Sequence, residues 1–446
     1  MMRKKLGLST ALLAVALGTT ACGGGGDKAA STVAPDAAAA VTAKKDPVTL
    51  TVFFPFPADW PEENFMETFG QPIMKQFPHV TIKYITGGKI ADLITQGQAI
   101  DIVFASIGAT PGNLTDVKLE YDISPQIKKY NYNLTKLEPS MVDMARQFAN
   151  GGIYGLPVYV PPSATYYNKD VFNKFGVAYP KANLTWDDMF ELTKSLTRSD
   201  GGVNFTGFAS SYGHMAMMNQ LSIPIVKTDT KKSTFDTDEK WKTWVDNLTR
   251  FYKLPGYSEI KSNQISEPNE RNRFFKDRNV GMFLALTALH NAQEIGDMNW
   301  DLQTFPVFKE KPDVGPQPYP TYFYVTSTSK YKDQAFEVIS YLTSDEYQSV
   351  QVKNGKFLTT SSNKSLRQQF GQNNPMYAGK NVKAFQPDKY ASAGSVNKYN
   401  GSYNSEMNNI IRDVVFNNKD ANTALREAAE RVNKKIEETE VATGAK

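Results

Sequence analysis

The imidazole chemistry open to this chain rests on three histidines, His79, His214 and His290, and no two of them stand at metal-ligand spacing. There is no HExxH helix, no GxSxG elbow and no P-loop. Gly23–Gly26 form a glycine run, but no strand–turn–helix pattern surrounds it, so it reads as linker and not as a phosphate cradle. Adjacent carboxylates occur at Glu62–Glu63 and Asp187–Asp188. The second pair opens a helical pattern, where negative charge meets the favourable end of the helix dipole. Two acids distant in sequence could still form a glycosidase pair, and no motif points to one. The single cysteine, Cys22, excludes an intramolecular disulfide and a multi-cysteine zinc site. No metal, cofactor or catalytic residue is expected.

The elements that would position a binding site are easier to read. A chain of 446 residues is too long for one ordinary core and predicts two domains. Lys and Arg number 50 against 46 Asp and Glu, without the basic surplus of a nucleic-acid binder. From residue 48 the pattern alternates: strand VTLTVFF (48–54), a helix over 65–78 broken by Pro72, strand VTIKYI (80–85), helix 90–98 and strand DIVFAS (101–106). This order predicts an α/β fold with an open sheet.

A second half begins near residue 160 with strand ATYYN (164–168). Thr185 and Asp188 form a capping-box pattern for the helix that follows. A helix over 235–253, capped by Asp236, carries a Trp241/Trp244/Val245/Leu248 stripe of core residues. Further elements are strands at 280–286 and 322–326 and helices at 333–350 and 424–440, the last with Leu425, Ala428, Val432 and Ile436 on one face.

The N-terminus reads as an export signal: Arg3, Lys4 and Lys5, an apolar run from Leu6 to Gly18, then small residues. The run is shorter than the roughly 20 residues of a membrane-spanning helix. Thr20, Ala21 and Cys22 resemble a bacterial lipobox, with Thr19 where that pattern has Leu; the resemblance implies a diacylglycerol on the Cys22 thiol. A plain secretory signal cut at or after Ala21 is the alternative. Residues 1–21 are thus a signal peptide, and residues 22–46 a lipidated cysteine followed by a Gly/Ala-rich tether too poor in large apolar groups to fold. Loss of the three basic residues takes the formal charge from +4 to +1.

Several segments stand in a telling order: GGIYGLPVYVPPSATYYNKDVFNKFG (151–176), TWDDMFELTKSLT, FFKDRNVGMFLALTALHN (274–291), WDLQTFPVF (300–308), YFYVTSTSKYKDQAFEVISYLTSDEYQ and NGKFLTTS (354–361). Together they resemble family 1 of the extracellular solute-binding proteins of ABC importers, the maltose-binding-protein group, over nearly all of residues 47–440. The resemblance implies a two-lobed, type II periplasmic-binding-protein-like fold with a hinge and an interlobe cleft. Lobe 1 would hold 47–162 plus 306–353, and lobe 2 163–305 plus 354–440. Crossings are expected near Pro161–Ala164, Phe305–Pro306 and Lys353–Lys356. It further implies a non-enzymatic, monomeric receptor that is tethered to the cell membrane by lipid. Such a receptor captures a carbohydrate, expected here to be an oligosaccharide, and delivers it to ABC permease subunits. The same fold with a peptide or polyamine ligand, a surface-anchored glycoside hydrolase, and a subunit reporting to a membrane sensor are the alternatives.

Ligands of open α/β sheets meet the loops at the carboxyl ends of strands. That rule selects Phe56, Asp59 and Trp60 after the first strand and Ser106 after the third. It also selects Tyr159 near the hinge, Tyr212 and His214 after TGFAS, and Thr287 and His290 after VGMFLAL. Tyr319 and Tyr322 flank the return of the chain, and Tyr403 and Asn404 match a late cleft region implied by the resemblance. Tyr212 is the foremost stacking candidate; Trp60 could instead pack on the helix that follows it. Sugars present hydroxyl edges and C–H faces, and aromatic plates with planar polar groups suit both.

Overall fold

The computed structural model describes residues 45–286, 295–387 and 389–442. Cys22, Thr287 and His290 lie outside the described residues. The described residues from Asp46 onward form one compact unit. Its described strands are β1 (Val48–Phe54), β2 (Val80–Thr86), β3 (Ile102–Ser106), β4 (Gly155–Val160), β5 (Ser163–Asn168), β6 (Arg198–Asp200), β7 (Val203–Ser210), β8 (Val280–Leu286), β9 (Trp300–Gln303), β10 (Thr321–Val325) and β11 (Leu358–Thr359).

They make two sheets, ordered β11-β4-β10-β3-β1-β2 and β6-β7-β8-β5-β9. β1 pairs in parallel with both β2 and β3, as the β-α-β-α-β pattern requires. The continuous apolar runs of β1 and β3 are buried, because helices cover both faces of such a sheet. β2 lies at the edge and keeps an alternating burial pattern over its first residues. β10 enters antiparallel between β3 and β4, although the chain reaches it only after the whole second sheet.

The chain leaves the first sheet after Val160 and returns to it at Thr321. β11 also pairs with β4, so the first sheet takes a strand from the segment expected with the second lobe. The last passage between the sheets therefore falls beyond Thr359, and not near Lys353–Lys356.

Local sequence explains several of the helices. Thr185 and Asp188 close the capping box of the helix Trp186–Leu196, each side chain accepting the other's backbone N–H. Pro72 does not break its helix. The run Glu62–Phe65, Met66–Gly70, Gln71–Gln76 is continuous, and its middle is π-helical: Gln71 N–H donates to Met66 O five residues back. The widened turn accommodates a residue that has no N–H to give. The helix expected from Asp236 starts later, at Lys240, because Asp238 is the residue that accepts the Lys240 N–H. Trp241, Trp244, Val245 and Leu248 are fully buried, as their spacing predicts. In the C-terminal helix Ala421–Ala442 the Leu425, Ala428, Val432 and Ile436 stripe is likewise buried. Among the described residues no helix is long and apolar enough to cross a membrane.

Candidate functional site

The carboxyl ends of β1 and β3 open onto a cavity of about 600 Å³. Phe56, Asp59, Trp60, Ser106, Tyr159, His214, Tyr319 and Asn404, all selected from sequence, line it. The first-sheet side is aromatic. Phe56 is 46% exposed and stands edge-on to Phe54, with centroids 5.8 Å apart, so one broad ring is open to a ligand. Trp60 does two things: it lines the cavity, and it packs edge-on against Phe69 of the following helix at 4.9 Å. Its Nε1 donates to the Tyr159 hydroxyl at 2.8 Å, and its carbonyl accepts from the Tyr84 hydroxyl at 2.8 Å. Both ring and backbone are thereby fixed. Burial pushes the Tyr159 phenol well above its ordinary range, so it stays protonated.

The opposite wall is polar. The Nδ1 of His214 hydrogen-bonds Ser211 Oγ at 2.6 Å, and its ring meets Tyr319 edge-on at 5.3 Å. Burial, reinforced by the nearby Arg271 charge, lowers its pKa to about 4, so the imidazole is neutral at physiological pH. Glu267 and Arg271 sit one turn apart on the helix Glu267–Phe275 and pair at 3.4 Å. Lys356 reaches the cavity from the segment before β11 and pairs with Glu67 at 2.9 Å. Among the described residues, the charged ones lining the cavity are Asp59 and Glu267 against Arg271 and Lys356, a balanced set.

Three candidates are not on this wall, and in each case local geometry says why. Tyr212 is fully buried, edge-on to Tyr252 at 5.7 Å. It precedes His214 by two helical positions, roughly 200° around the helix, so when one faces the cavity the other faces the core. Tyr322 is fully buried with its hydroxyl donating to Met141 O at 2.7 Å. Strand alternation puts its neighbour Thr321 on the cavity instead. Tyr403 is buried, while Gly401 and Asn404, three apart, share the cavity-facing side.

Sequence reasoning missed Glu267, Arg271 and Lys356. The strand-end rule cannot reach a helix that lies before its strand or a lysine that precedes one. The signal that could have found the first two is the EPNERNR run, in which Glu267/Arg271 and Glu270/Arg273 fall on different helix faces. Among the described residues no group of three or more His, Cys, Asp or Glu is placed to hold a metal ion.

A family model described as bacterial extracellular solute-binding protein matches residues 59–349. A binding protein of Brucella abortus is 25% identical over 245 residues, covering 50% of this chain and 53% of the relative. This chain thus spans about half the length of that curated relative. A mannitol-binding protein of Pseudomonas aeruginosa is 31% identical over 134 residues, 29% of each chain. Among solved structures, an ABC substrate-binding protein of Listeria monocytogenes in complex with cycloalternan superposes with a TM-score of 0.71 at 20% identity, covering 88% of this chain and 99% of the other.

Proposed function

Because the chain belongs to the bacterial extracellular solute-binding protein family, we propose that it captures a carbohydrate in the cavity between its two sheets and delivers it to an ABC permease. The observation that carries this reading is the cavity wall. It joins an exposed aromatic face, Phe56, and fixed rings, Trp60 and Tyr159, to a polar side whose charges balance and whose histidine is neutral. A neutral polyhydroxylated ligand meets such a wall with its C–H faces on the rings and its hydroxyls on the polar groups. Among the described residues of that wall, a cationic polyamine or an anionic ligand finds no charge surplus. The oligosaccharide bound to the Listeria protein and the polyol of the Pseudomonas relative belong to this chemical class.

The receptor works as a monomer and without catalysis. The two bodies, one built on each sheet, close over the solute, and the permease reads the closed form. Cys22 carries the lipid that holds the receptor outside the cytoplasm on the cell membrane, at the end of the 22–46 tether.

Two experiments check this. In a thermal-shift panel of maltose, maltotetraose, D-mannitol, peptides and polyamines, a sugar or polyol at a hundredfold excess over Kd adds about 2.7 kcal/mol to the folded state and raises the melting temperature. A shift with peptides or polyamines and none with sugars or polyols would sink the carbohydrate reading; turnover of a bound oligosaccharide on prolonged incubation would make the protein an enzyme. For the anchor, Cys22→Ser is expected to release the protein into the medium, and a mutant that stays on the membrane would show that a lipid on Cys22 is not what holds it.

A further inference from the structure

Two glycines face one another at the cavity, and neither leaves room for a side chain. A Cβ on Gly401 would stand 2.5 Å from the carbonyl oxygen of Gly108 and 3.1 Å from Pro111 Cγ. A Cβ on Gly108 would stand 2.1 Å from the Tyr319 hydroxyl oxygen. Both glycines line the cavity.

They belong to different bodies. Gly108 follows β3 of the first sheet, and Pro111 opens the π-helical turn Pro111–Thr115 just after it. Gly401 lies in the helix Lys398–Tyr403. That helix is tied to the segment between β7 and β8 of the second sheet: Asn397 Nδ2 donates to Val226 O at 2.9 Å, and Asn400 Oδ1 accepts from Val226 N at 2.8 Å. One more bond crosses nearby, Val396 N donating to Gln147 Oε1 at 3.0 Å. Gln147 sits in the helix Pro139–Phe148 that leads into β4. The Gly108–Gly401 contact is thus a place where the two bodies meet backbone to backbone.

Gly401 is not needed by its own backbone conformation, which is helical; alanine would ordinarily favour a helix over glycine. What excludes a side chain is the carbonyl across the contact. We infer that Gly401 is the latch of closure: its missing Cβ lets the second body seat on the Gly108 carbonyl and seal the cavity. The inference rests on the reading of capture by closure above. A side chain at 401 holds the bodies apart and lowers the closed fraction. The apparent affinity then falls in the same proportion.

The test compares the unsubstituted protein with Gly401→Ala, Gly401→Leu and the neighbouring control Ser402→Ala, whose exposed hydroxyl only bonds Lys398 O at 3.1 Å. Small-angle X-ray scattering is recorded with no sugar, with maltotetraose and with D-mannitol, alongside binding calorimetry and ligand-free melting. The expected result is a larger radius of gyration for Gly401→Leu and a smaller change for Gly401→Ala. Binding of whichever probe the unsubstituted protein takes falls by about tenfold or more. Ser402→Ala matches the unsubstituted protein, and ligand-free melting is unchanged in all three. Identical scattering for Gly401→Leu and the unsubstituted protein overturns the latch. So does a drop in ligand-free melting that accounts for the affinity loss, since Gly401 would then serve the fold. If neither probe binds the unsubstituted protein, it is the carbohydrate reading that suffers, and the scattering comparison still decides the latch.

Discussion

Trp60→Ala is expected to cost about 3–5 kcal/mol of folding stability, the range for emptying a buried aromatic site, and to remove ligand binding with it. Trp60 is 1% exposed and sits among Phe69, Phe104 and Tyr159. Its removal leaves a void between the first sheet and the helical run Glu62–Gln76, and it takes one fixed ring off the cavity wall. It also strips Tyr159 of the N–H that orients its hydroxyl. Trp60→Phe separates the two effects. It keeps most of the apolar volume and loses the hydrogen bond, so about 1–3 kcal/mol is expected. Chemical denaturation measures both variants. A Trp60→Ala protein as stable as the parent would show that the cluster repacks and that the ring is not a structural centre.

The second large effect is expected from Arg273→Ala, at about 3–5 kcal/mol, the range for breaking a buried ion pair from one side. Arg273 Nη1 donates to Glu270 Oε2 at 2.7 Å, and Glu270 Oε1 accepts from the Tyr252 hydroxyl at 2.6 Å. Glu270 is fully buried and Arg273 nearly so. Without the guanidinium the carboxylate has no charge partner in a dry site. Burial already pushes the Glu270 pKa up, with Arg273 opposing it; removing Arg273 raises it further.

The sign of the pH dependence follows. A carboxyl with a raised folded-state pKa keeps its proton where the unfolded chain, near 4.3, has lost it. Stability therefore falls as pH rises from the unfolded value through the folded one. The Arg273→Ala deficit relative to the parent should be smaller at pH 5 than at pH 8, as urea titrations at the two pH values would read. A double variant, Glu270→Leu with Arg273→Met, should recover much of the loss, because apolar groups of similar size can replace a buried pair. A deficit that does not change with pH would mean the carboxylate is not what suffers. The same helix carries Glu267 and Arg271 on the cavity, so ligand affinity should fall along with stability.

The aromatic and helical periodicities carried a large part of the fold. Leu425/Ala428/Val432/Ile436 and Trp241/Trp244 repeat at helical spacing because one face of each helix must be buried, and Thr185 with Asp188 marks a helix start through a bond between neighbours in sequence. Such features need no knowledge of distant partners. The strand-end rule also located the cavity, since β1 and β3 deliver Phe56, Trp60 and Ser106 to it. The rule names a loop but not the direction of each side chain. Tyr212 and His214 follow the same strand, and a two-residue offset on a helix sends one to the core and the other to the cavity.

From the sequence alone came the α/β class, the two-body division, the family and the strand ends that frame the site. They follow from local patterning: hydrophobic period, capping chemistry and ordered motifs. The tertiary structure decided what depends on parts of the chain brought together from far away. β10 pairs with β3 across more than two hundred residues, which sets Thr321 and not Tyr322 on the wall. β11 joins the first sheet and moves the last crossing beyond Thr359. A helical pair, Glu267 and Arg271, reaches the cavity because a buried partner pair on the same helix fixes its rotation. The fit of Gly401 against Gly108 exists only once two bodies nearly three hundred residues apart in sequence are in contact, since no local pattern encodes the space a missing Cβ leaves.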